Sequence, residues 1–275
     1  MADYTMAFLL ILAVAMLCTG AIAGVLAGLL GVGGGIVIVP VLFILFDYLD
    51  IPPQISMHIA VATSLATIIP TSISSARSHH KKGSIDLDLL KSWAPLIFIG
   101  AAIGGVLSKY LASTSLTLIF GVIALLVSMN MALPKKLVIS DDLPKGVVGK
   151  GLLPSLIGGF SALMGIGGGT LSVPILSAFS FPIHRAVGTA SAFGLVIAIP
   201  AVIGFIWSGW SADLRPPYSF GYVSLPAAVL IFSVSVFTAP LGAKLAHSLN
   251  PANLKKAFAL FLFITSLRML WVGLS

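Results

Sequence analysis

The chain carries the same unusual glycine-rich phrase twice. Residues 31–40 read GVGGGIVIVP and residues 165–174 read GIGGGTLSVP, so the second copy begins 134 residues after the first in a chain of 275. Each phrase interrupts an apolar stretch, and clustered glycines weaken a helix and reach backbone angles closed to other residues. A duplicated chain with one helix break in each half is the arrangement expected of a secondary transporter, whose substrate site lies where the breaks meet.

The composition places the chain in a membrane. It is 58% hydrophobic and 8% charged, whereas a soluble domain carries about 25% charged residues. The apolar runs also lack the period-two alternation that transmembrane strands require. The predicted fold class is therefore all-α: a polytopic helical membrane protein of about 8–10 hydrophobic helices, built from two internal repeats.

Three apolar runs are too short to cross a membrane as single helices. A full span needs roughly 20 residues, but the runs at 36–46, 150–165 and 170–181 are shorter. They lie beside the glycine phrases. We therefore interpret them as half-helices that are either re-entrant or joined into broken spans.

The duplication extends beyond the glycines. Residues 60–63 (AVAT) correspond to residues 186–189 (AVGT), and residues 83–87 (GSIDL) correspond to residues 221–225 (GYVSL). The predicted organisation is one integral membrane domain. It has a first transmembrane repeat at 1–134, a cytoplasmic linker at 135–150 and a second transmembrane repeat at 151–275.

The basic residues indicate how the repeats lie in the membrane. The loops at 77–91 and 134–150 together hold eight of them, and by the positive-inside rule both loops are cytoplasmic. If 150–181 is a re-entrant hairpin, the repeats are inverted and twelve of the fifteen Lys and Arg residues are cytoplasmic; if it is one broken span, the repeats are parallel and ten are. The inverted arrangement is favoured. The predicted location is the cell (inner or plasma) membrane, as a multi-pass protein.

The glycine phrases are also the candidate substrate site. The helix that follows each break directs its N-terminus, with about half a positive charge, into the gap, and such an end binds anions. Thr170 is expected at the N-cap of the second half-helix, whereas the first has Ile36 there. The alternative is that the glycines only permit close helix packing. The predicted backbone donors are Gly31, Gly33, Gly34, Gly35, Gly165, Gly167, Gly168 and Gly169.

Other polar residues lie near the repeated Ala-Val-x-Thr blocks. The candidates for lining a polar path are Thr63, Ser64, Thr189 and Ser191. Alternatively, each hydroxyl bonds to the backbone of its own helix. The candidates for a charge or proton role are His58, His184 and Arg185, for which a packed or interfacial position is the alternative.

The residues that the apolar runs lack narrow the function. No carboxylate falls inside a run, which argues against the acidic relay of many proton- or sodium-coupled transporters. A negative cell interior drives an anion outward by about 2.3 kcal/mol per charge per 100 mV, so uncoupled or weakly coupled efflux is physically sufficient. With one cysteine and no nucleophile–base pair in the runs, we expect no enzyme, no metal and no other cofactor. The net charge of +7 reflects the positive-inside rule, so no nucleic acid is expected as a partner.

Four segments together carry a family resemblance. GVGGGIVIVPVL, GIGGGTLSVPIL, HHKKGSIDLDLL, and GYVSLPA followed by LGAKLAHSLNPANLKKAFALFLFITSLRML resemble the TauE/SafE family, also called the sulfite exporter or toluene-sulfonate uptake permease family. The resemblance runs from about residue 20 to residue 272. It implies transport of a sulfur oxyanion or organosulfonate such as sulfite, thiosulfate or sulfoacetate.

The hypothesis from the sequence is thus a secondary transporter that works by alternating access, with a small anion bound between paired glycine breaks. The alternatives are an anion channel with the same pore and a permease for a small carboxylate without sulfur. The expected partners are the anionic substrate and the lipid bilayer, and a homodimer is a further hypothesis. The direction of transport and any coupling ion stay open.

Overall fold

The computed structural model of the protein describes residues 5–132, 138–140, 143–144, 146–246 and 251–274. Residues 135–137, 141–142 and 145 of the predicted linker at 135–150 lie outside these residues. Within them the fold is all-α, apart from a two-stranded antiparallel ribbon of β1 (Ser219–Phe220) and β2 (Val223–Ser224). The helices are α1 (Met6–Leu30), α2 (Gly35–Asp47), α3 (Pro53–Lys81), α4 (Leu87–Leu107), α5 (Ser113–Ala132), α6 (Leu153–Met164), α7 (Gly169–Ala178), α8 (Ile183–Ser208), α9 (Leu225–Leu245) and α10 (Pro251–Leu274).

Six helices of the described chain are long and apolar enough to span a membrane: α1, α3, α4, α5, α8 and α9. The span that contains α4 includes a 3-10 turn, Ser108–Tyr110. A π-helical turn, Val148–Leu152, leads into α6. The prediction of a polytopic helical membrane protein is confirmed.

Helices α1 and α2 form a re-entrant hairpin. Helix α3 runs in the same direction as α1, because Ser75 and His79 near its end hydrogen-bond Ala27 O and Gly28 O near the end of α1. After the break the chain passes back along α3, since Gly35 adjoins Ile68. Helix α2 then returns to the end at which α1 began, because Phe46 near its end lines the same cavity as Leu9 and Leu12 of α1. The short run at 36–46 is therefore the returning arm of a hairpin, as the re-entrant alternative predicts.

Helices α6 and α7 form the second hairpin, and it starts from the opposite end. Helix α6 runs alongside α4, with Ser155 against Gly100 and Ala162 against Gly104. Helix α7 runs back toward the start of α8, which comes after a short turn. The first arms of the two hairpins therefore run in opposite directions, which is what inverted repeats require. The duplication itself stays a prediction.

Small residues allow the helices to approach closely. On α1, Gly20, Gly24 and Gly28 lie against the backbone of α9, so that an added Cβ would meet Ile231 O, Ser235 O or Ala239 O. Such close approach is the usual basis of helix association in membranes, where the hydrophobic effect does not act between helices.

The central pair of helices is α3 and α8, which are the most buried of the candidate spans. They run antiparallel: Gly188 near the start of α8 lies against Ser84, just after α3 ends, whereas Tyr222 contacts both Gly209, just after α8 ends, and His58 near the start of α3. Both hairpins pack against this pair. The two glycine breaks are thereby brought to the middle of the molecule.

The charged residues mark the two ends of the bundle. At one end, which we call the basic end, lie Arg77, Lys81, Lys82, Lys91, Lys150, Arg185 and Lys244, and at the opposite end lie Lys109, Arg215 and Arg268. The basic end is the one where α3 and α9 finish and α4 and α8 begin. By the positive-inside rule we expect this end to face the cytoplasm.

Candidate functional site

The two glycine breaks touch each other backbone to backbone. Gly167 N donates to Val32 O at 3.1 Å, and Gly169 N donates to Gly31 O at 3.0 Å. A Cβ built on Gly33 would lie 3.1 Å from Gly167 Cα. The two half-helices thus start from a common point, as the duplicated phrase predicts.

Close contact explains why these positions are glycine. A Cβ on Gly169 would fall on the backbone of Gly31, and a Cβ on Gly35 would fall on Gly165 O. Gly34, which caps α2, has φ of 81°, a conformation that glycine adopts readily and other residues rarely. The packing alternative is therefore realised at these glycines. Two of the predicted anion donors, the amides of Gly167 and Gly169, are already bonded across the crossing.

Ser64, on the central helix α3, hydrogen-bonds to the second break. Its hydroxyl, fully buried, donates to Gly165 O at 2.7 Å. Gly165 is the residue that ends α6, with φ of 68°. Ser64 thus fixes the point at which the second hairpin reverses.

Thr63 and Thr189 perform equivalent tasks at opposite ends of the bundle. Thr63 Oγ1 accepts a hydrogen bond from Ser224 N at 3.0 Å, and Thr189 Oγ1 accepts one from Asp86 N at 2.9 Å. Ser224 and Asp86 are the N-caps of α9 and α4. Each threonine therefore holds the start of a helix from the other half of the chain.

The remaining predicted hydroxyls differ in their environment. Ser191 Oγ donates to Gly188 O within its own helix, which is the local alternative. The prediction that Thr170 is the N-cap of α7 is wrong. The N-cap is Gly168, the first helical residue is Gly169, and Thr170 is the second. The helix starts early because Gly169 already packs against the first break. Thr170 Oγ1 is buried and has no hydrogen-bond partner.

Sequence reasoning missed five further buried hydroxyls without partners, those of the buried residues Ser72, Ser161 and Ser172 and of the partly exposed residues Ser177 and Ser219. Ser72 lies against Gly194, where an added Cβ would meet both the Ser72 hydroxyl and, at 3.7 Å, Gly168 N. The hydroxyl of Ser72 and the N-terminus of α7 therefore adjoin the same point. The signal for Ser72 is weak, because it is one of several hydroxyl residues along α3.

Arg185 forms a salt bridge with Asp86 at the basic end. Its Nη2 lies 2.7 Å from Asp86 Oδ2, while Asp86 Oδ1 accepts from Leu89 N. Asp86 was missed as a site residue because it falls in a polar loop. Its carboxylate joins the start of α4 to the start of α8.

The two candidate histidines have different surroundings. His58 is buried, with Nε2 at 3.1 Å from both Ser108 O and Leu111 O and its ring against Tyr222. Two carbonyl partners require that Nε2 carries the hydrogen. His184 is exposed at the basic end. Because His58 holds the end of α4, the packed alternative is realised for it in this conformation.

Tyr222, which covers His58, lies in the β1–β2 ribbon outside the spans. Burial raises the pKa of its hydroxyl, and the charge of Arg215 opposes that shift. The phenol is therefore neutral at physiological pH. It offers His58 an uncharged aromatic surface.

A cavity of about 340 Å³ lies at the end opposite to the basic one. It is formed by the start of α1, the end of α2 and the start of α9, and it reaches Ser224. Its lining is mainly apolar, with Leu9, Leu12, Met16, Phe46, Ile51 and Leu230 among the residues. Such a lining offers an anion few hydrogen bonds, so this cavity is a poor candidate for an anion site.

The family model described as sulfite exporter TauE/SafE matches residues 16–269. The chain belongs to the TauE/SafE family. A "probable membrane transporter protein" of Haemophilus influenzae is 40% identical over 260 residues, which cover 92% of this chain and 96% of the relative. A similarly named protein of Methanocaldococcus jannaschii is 30% identical over 96% of this chain and 97% of its own length.

A third relative, "probable membrane transporter protein YunE" of Bacillus subtilis, is 27% identical over 95% of this chain and 98% of its own length. No solved structure gives a significant match. The family and the names of these relatives support a membrane transport role for this TauE/SafE protein. They leave the substrate to be argued from the site.

Proposed function

We propose that this protein is a secondary transporter that moves a small anion across the cell membrane by alternating access. The substrate class is a sulfur oxyanion or organosulfonate, such as sulfite, thiosulfate or sulfoacetate. The anion binds at the crossing of the two glycine breaks. This location is supported by the general design of transporters in which broken helices meet near the middle of the bilayer.

One observation carries the proposal. The two half-helices α2 and α7 start from one point, where Gly169 N bonds Gly31 O, and buried hydroxyls without partners lie beside the start of α7. The N-terminus of a half-helix offers partial positive charge and N–H groups. Unpartnered hydroxyls supply further donors. The sulfur class is supported by the family description, which names a sulfite exporter.

The packing at the crossing favours a carrier over a channel. Gly33 and Gly35 leave no gap against Gly167 and Gly165, so the backbone closes the path at this level. An anion passes only if one hairpin moves relative to the other. Such a movement is the step that limits a carrier to one substrate per cycle.

Transport by the purified protein in proteoliposomes tests the proposal. We expect labelled sulfite or sulfoacetate to accumulate when an inside-positive potential is imposed, at carrier rates. Taurine, acetate and empty vesicles are the comparisons. Turnover thousands of times faster, or single-channel currents, would replace the carrier with a channel, and transport of acetate alone would replace the sulfur class with a carboxylate.

Thermal unfolding provides a measurement of binding that is independent of transport. A ligand at about 100 times its dissociation constant adds roughly 2.7 kcal/mol to the stability of the state that binds it. We expect a rise in Tm with sulfite, sulfoacetate or another sulfonate. The proposed homodimer is tested on the same sample by its mass in detergent.

A further inference from the structure

The start of α7 offers a polar surface that the rest of the fold leaves unused. Thr170, the second residue of this ten-residue helix, is 3% exposed, and Ser72 is 1% exposed. Neither hydroxyl has a hydrogen-bond partner. The amide of Gly168 adjoins the same point as the hydroxyl of Ser72. The start of α7 thus has the Ser72 hydroxyl beside its first amide and the Thr170 hydroxyl two residues into the helix.

This arrangement is costly unless a ligand uses it. A buried hydroxyl without a partner destabilises the folded state, and valine would fill the position of Thr170 without that cost. Many hydroxyls elsewhere in the core are bonded, as those of Thr63, Thr67 and Thr117 are, although that of Ser161 in α6 is not. The unpaired hydroxyls at the start of α7 differ from that of Ser161 because they lie beside a helix N-terminus, which makes them the better placed donors for an anion.

The first half of the chain has no equivalent surface. The residues that stand in α2 where Thr170 and Ser172 stand in α7 are Ile36 and Ile38, both fully buried or nearly so. Of these two half-helix starts, only that of α7 is polar.

The charge of the site is small. The buried residues of the described chain include no lysine and no arginine, and Arg185 is paired with Asp86 at the basic end. What remains is about half a positive charge from the helix dipole and neutral donors. The cost of burying an ion grows with the square of its charge, so this site compensates one negative charge far better than two.

We propose that Ser72, Thr170 and the first turn of α7 form a single binding site for a singly charged oxyanion, such as hydrogensulfite or a sulfonate. Doubly charged sulfate, sulfite and thiosulfate bind poorly, and so does sulfoacetate, which carries a carboxylate besides its sulfonate. The inference rests on the proposed function and narrows its substrate class. Hydrogensulfite and sulfonates present three oxygens, which the hydroxyls and the helix N–H groups match in number and type.

Competition in proteoliposomes tests the charge. Initial uptake of labelled sulfite is measured across neutral pH with methanesulfonate, sulfate or thiosulfate as competitors. We expect uptake to follow the concentration of hydrogensulfite and methanesulfonate to compete at least tenfold better than sulfate or thiosulfate. Methanesulfonate carries one charge throughout this range, so its own uptake corrects for any titration of the protein.

Two variants test the location, Thr170→Val and Ser72→Ala. Each is expected to raise the half-saturating methanesulfonate concentration at least tenfold and to leave the Tm unchanged or higher, since a hydroxyl without a partner is lost. Thr117→Val is the matched control, because Thr117 is equally buried but bonds Ser113 O in its own helix. It should transport normally.

The outcomes separate the two proposals. Equal competition by sulfate would overturn the single-charge inference and leave anion transport standing. Normal affinity in both Thr170→Val and Ser72→Ala would overturn the site. Folded wild-type protein that moves none of these anions would remove the proposed function and this inference with it.

Discussion

The two glycine breaks share a sequence pattern and a hairpin shape, yet the residues on the C-terminal side of the glycines differ. After the first break come Ile36 and Ile38, and after the second come Thr170 and Ser172. The glycines themselves are used alike, for contact between backbones. The repeated pattern therefore specifies the hairpin, whereas the chemistry resides in the neighbouring residues that the repeat does not share.

The largest loss of stability is expected from substitutions at the glycines, where the two breaks are most alike. Gly35→Leu and Gly169→Leu both place a side chain where the other break has backbone, and overpacking of this kind costs about 3 kcal/mol or more. Thermal unfolding and the yield of folded protein in detergent measure it. Gly159→Ala is the control, because its Cβ would be 3.4 Å from its nearest neighbour, Gly100 O. A normally stable Leu variant would show that the crossing is loose.

Exchanging Thr170 and Ile36, which occupy equivalent positions in the two half-helices, tests whether only the second half-helix binds the substrate. Thr170→Ile should abolish high-affinity transport while the protein stays folded. Ile36→Thr should keep the wild-type half-saturating concentration but lose about 1–3 kcal/mol of stability, because it buries a hydroxyl without a partner. Uptake per folded molecule and Tm are measured for both. Equal transport losses in the two variants would mean that the half-helices contribute equally to binding.

The paired threonines should again behave alike. Thr63→Val and Thr189→Val each leave a buried amide, Ser224 N or Asp86 N, without its acceptor, at about 1–3 kcal/mol each. Replacement by serine restores the hydroxyl and should recover most of the loss. Chemical denaturation of the four variants measures the effect. Tolerance of valine at both positions would indicate that these bonds contribute little.

The smallest expected change in stability concerns the two N-cap residues that the threonines hold, Asp86 and Ser224. Asp86→Ala removes a cap bonded to Leu89 N and an ion pair with the half-exposed Arg185, and a lost cap costs about 1 kcal/mol. Ser224→Ala should change stability by less than about 0.5 kcal/mol, since the Ser224 side chain makes no capping bond. Asp86→Asn retains most of the cap, so any salt-dependent remainder reports the ion pair.

The hairpins could be predicted from the sequence, but the contacts between them could not. Short apolar runs beside glycine clusters predicted half-helices, because length alone excludes a span. The start of α7 was misplaced at Thr170 because it depends on the contact of Gly169 with a segment more than a hundred residues earlier. The acceptor roles of Thr63 and Thr189 were missed for the same reason. Ser72 carried no signal of its own, since only its neighbours in space distinguish it.

The close pairing of α1 with α9 has a consequence for how the protein is made. The glycine face of α1 has its partner in a helix roughly 200 residues later in the chain, and at about 5–20 residues per second the ribosome needs on the order of 10–40 seconds to supply it. During that interval α1 lies in the membrane with its small-residue face uncovered. A nascent chain released before α9 lacks this contact, so α1 is made long before the helix that covers its glycine face.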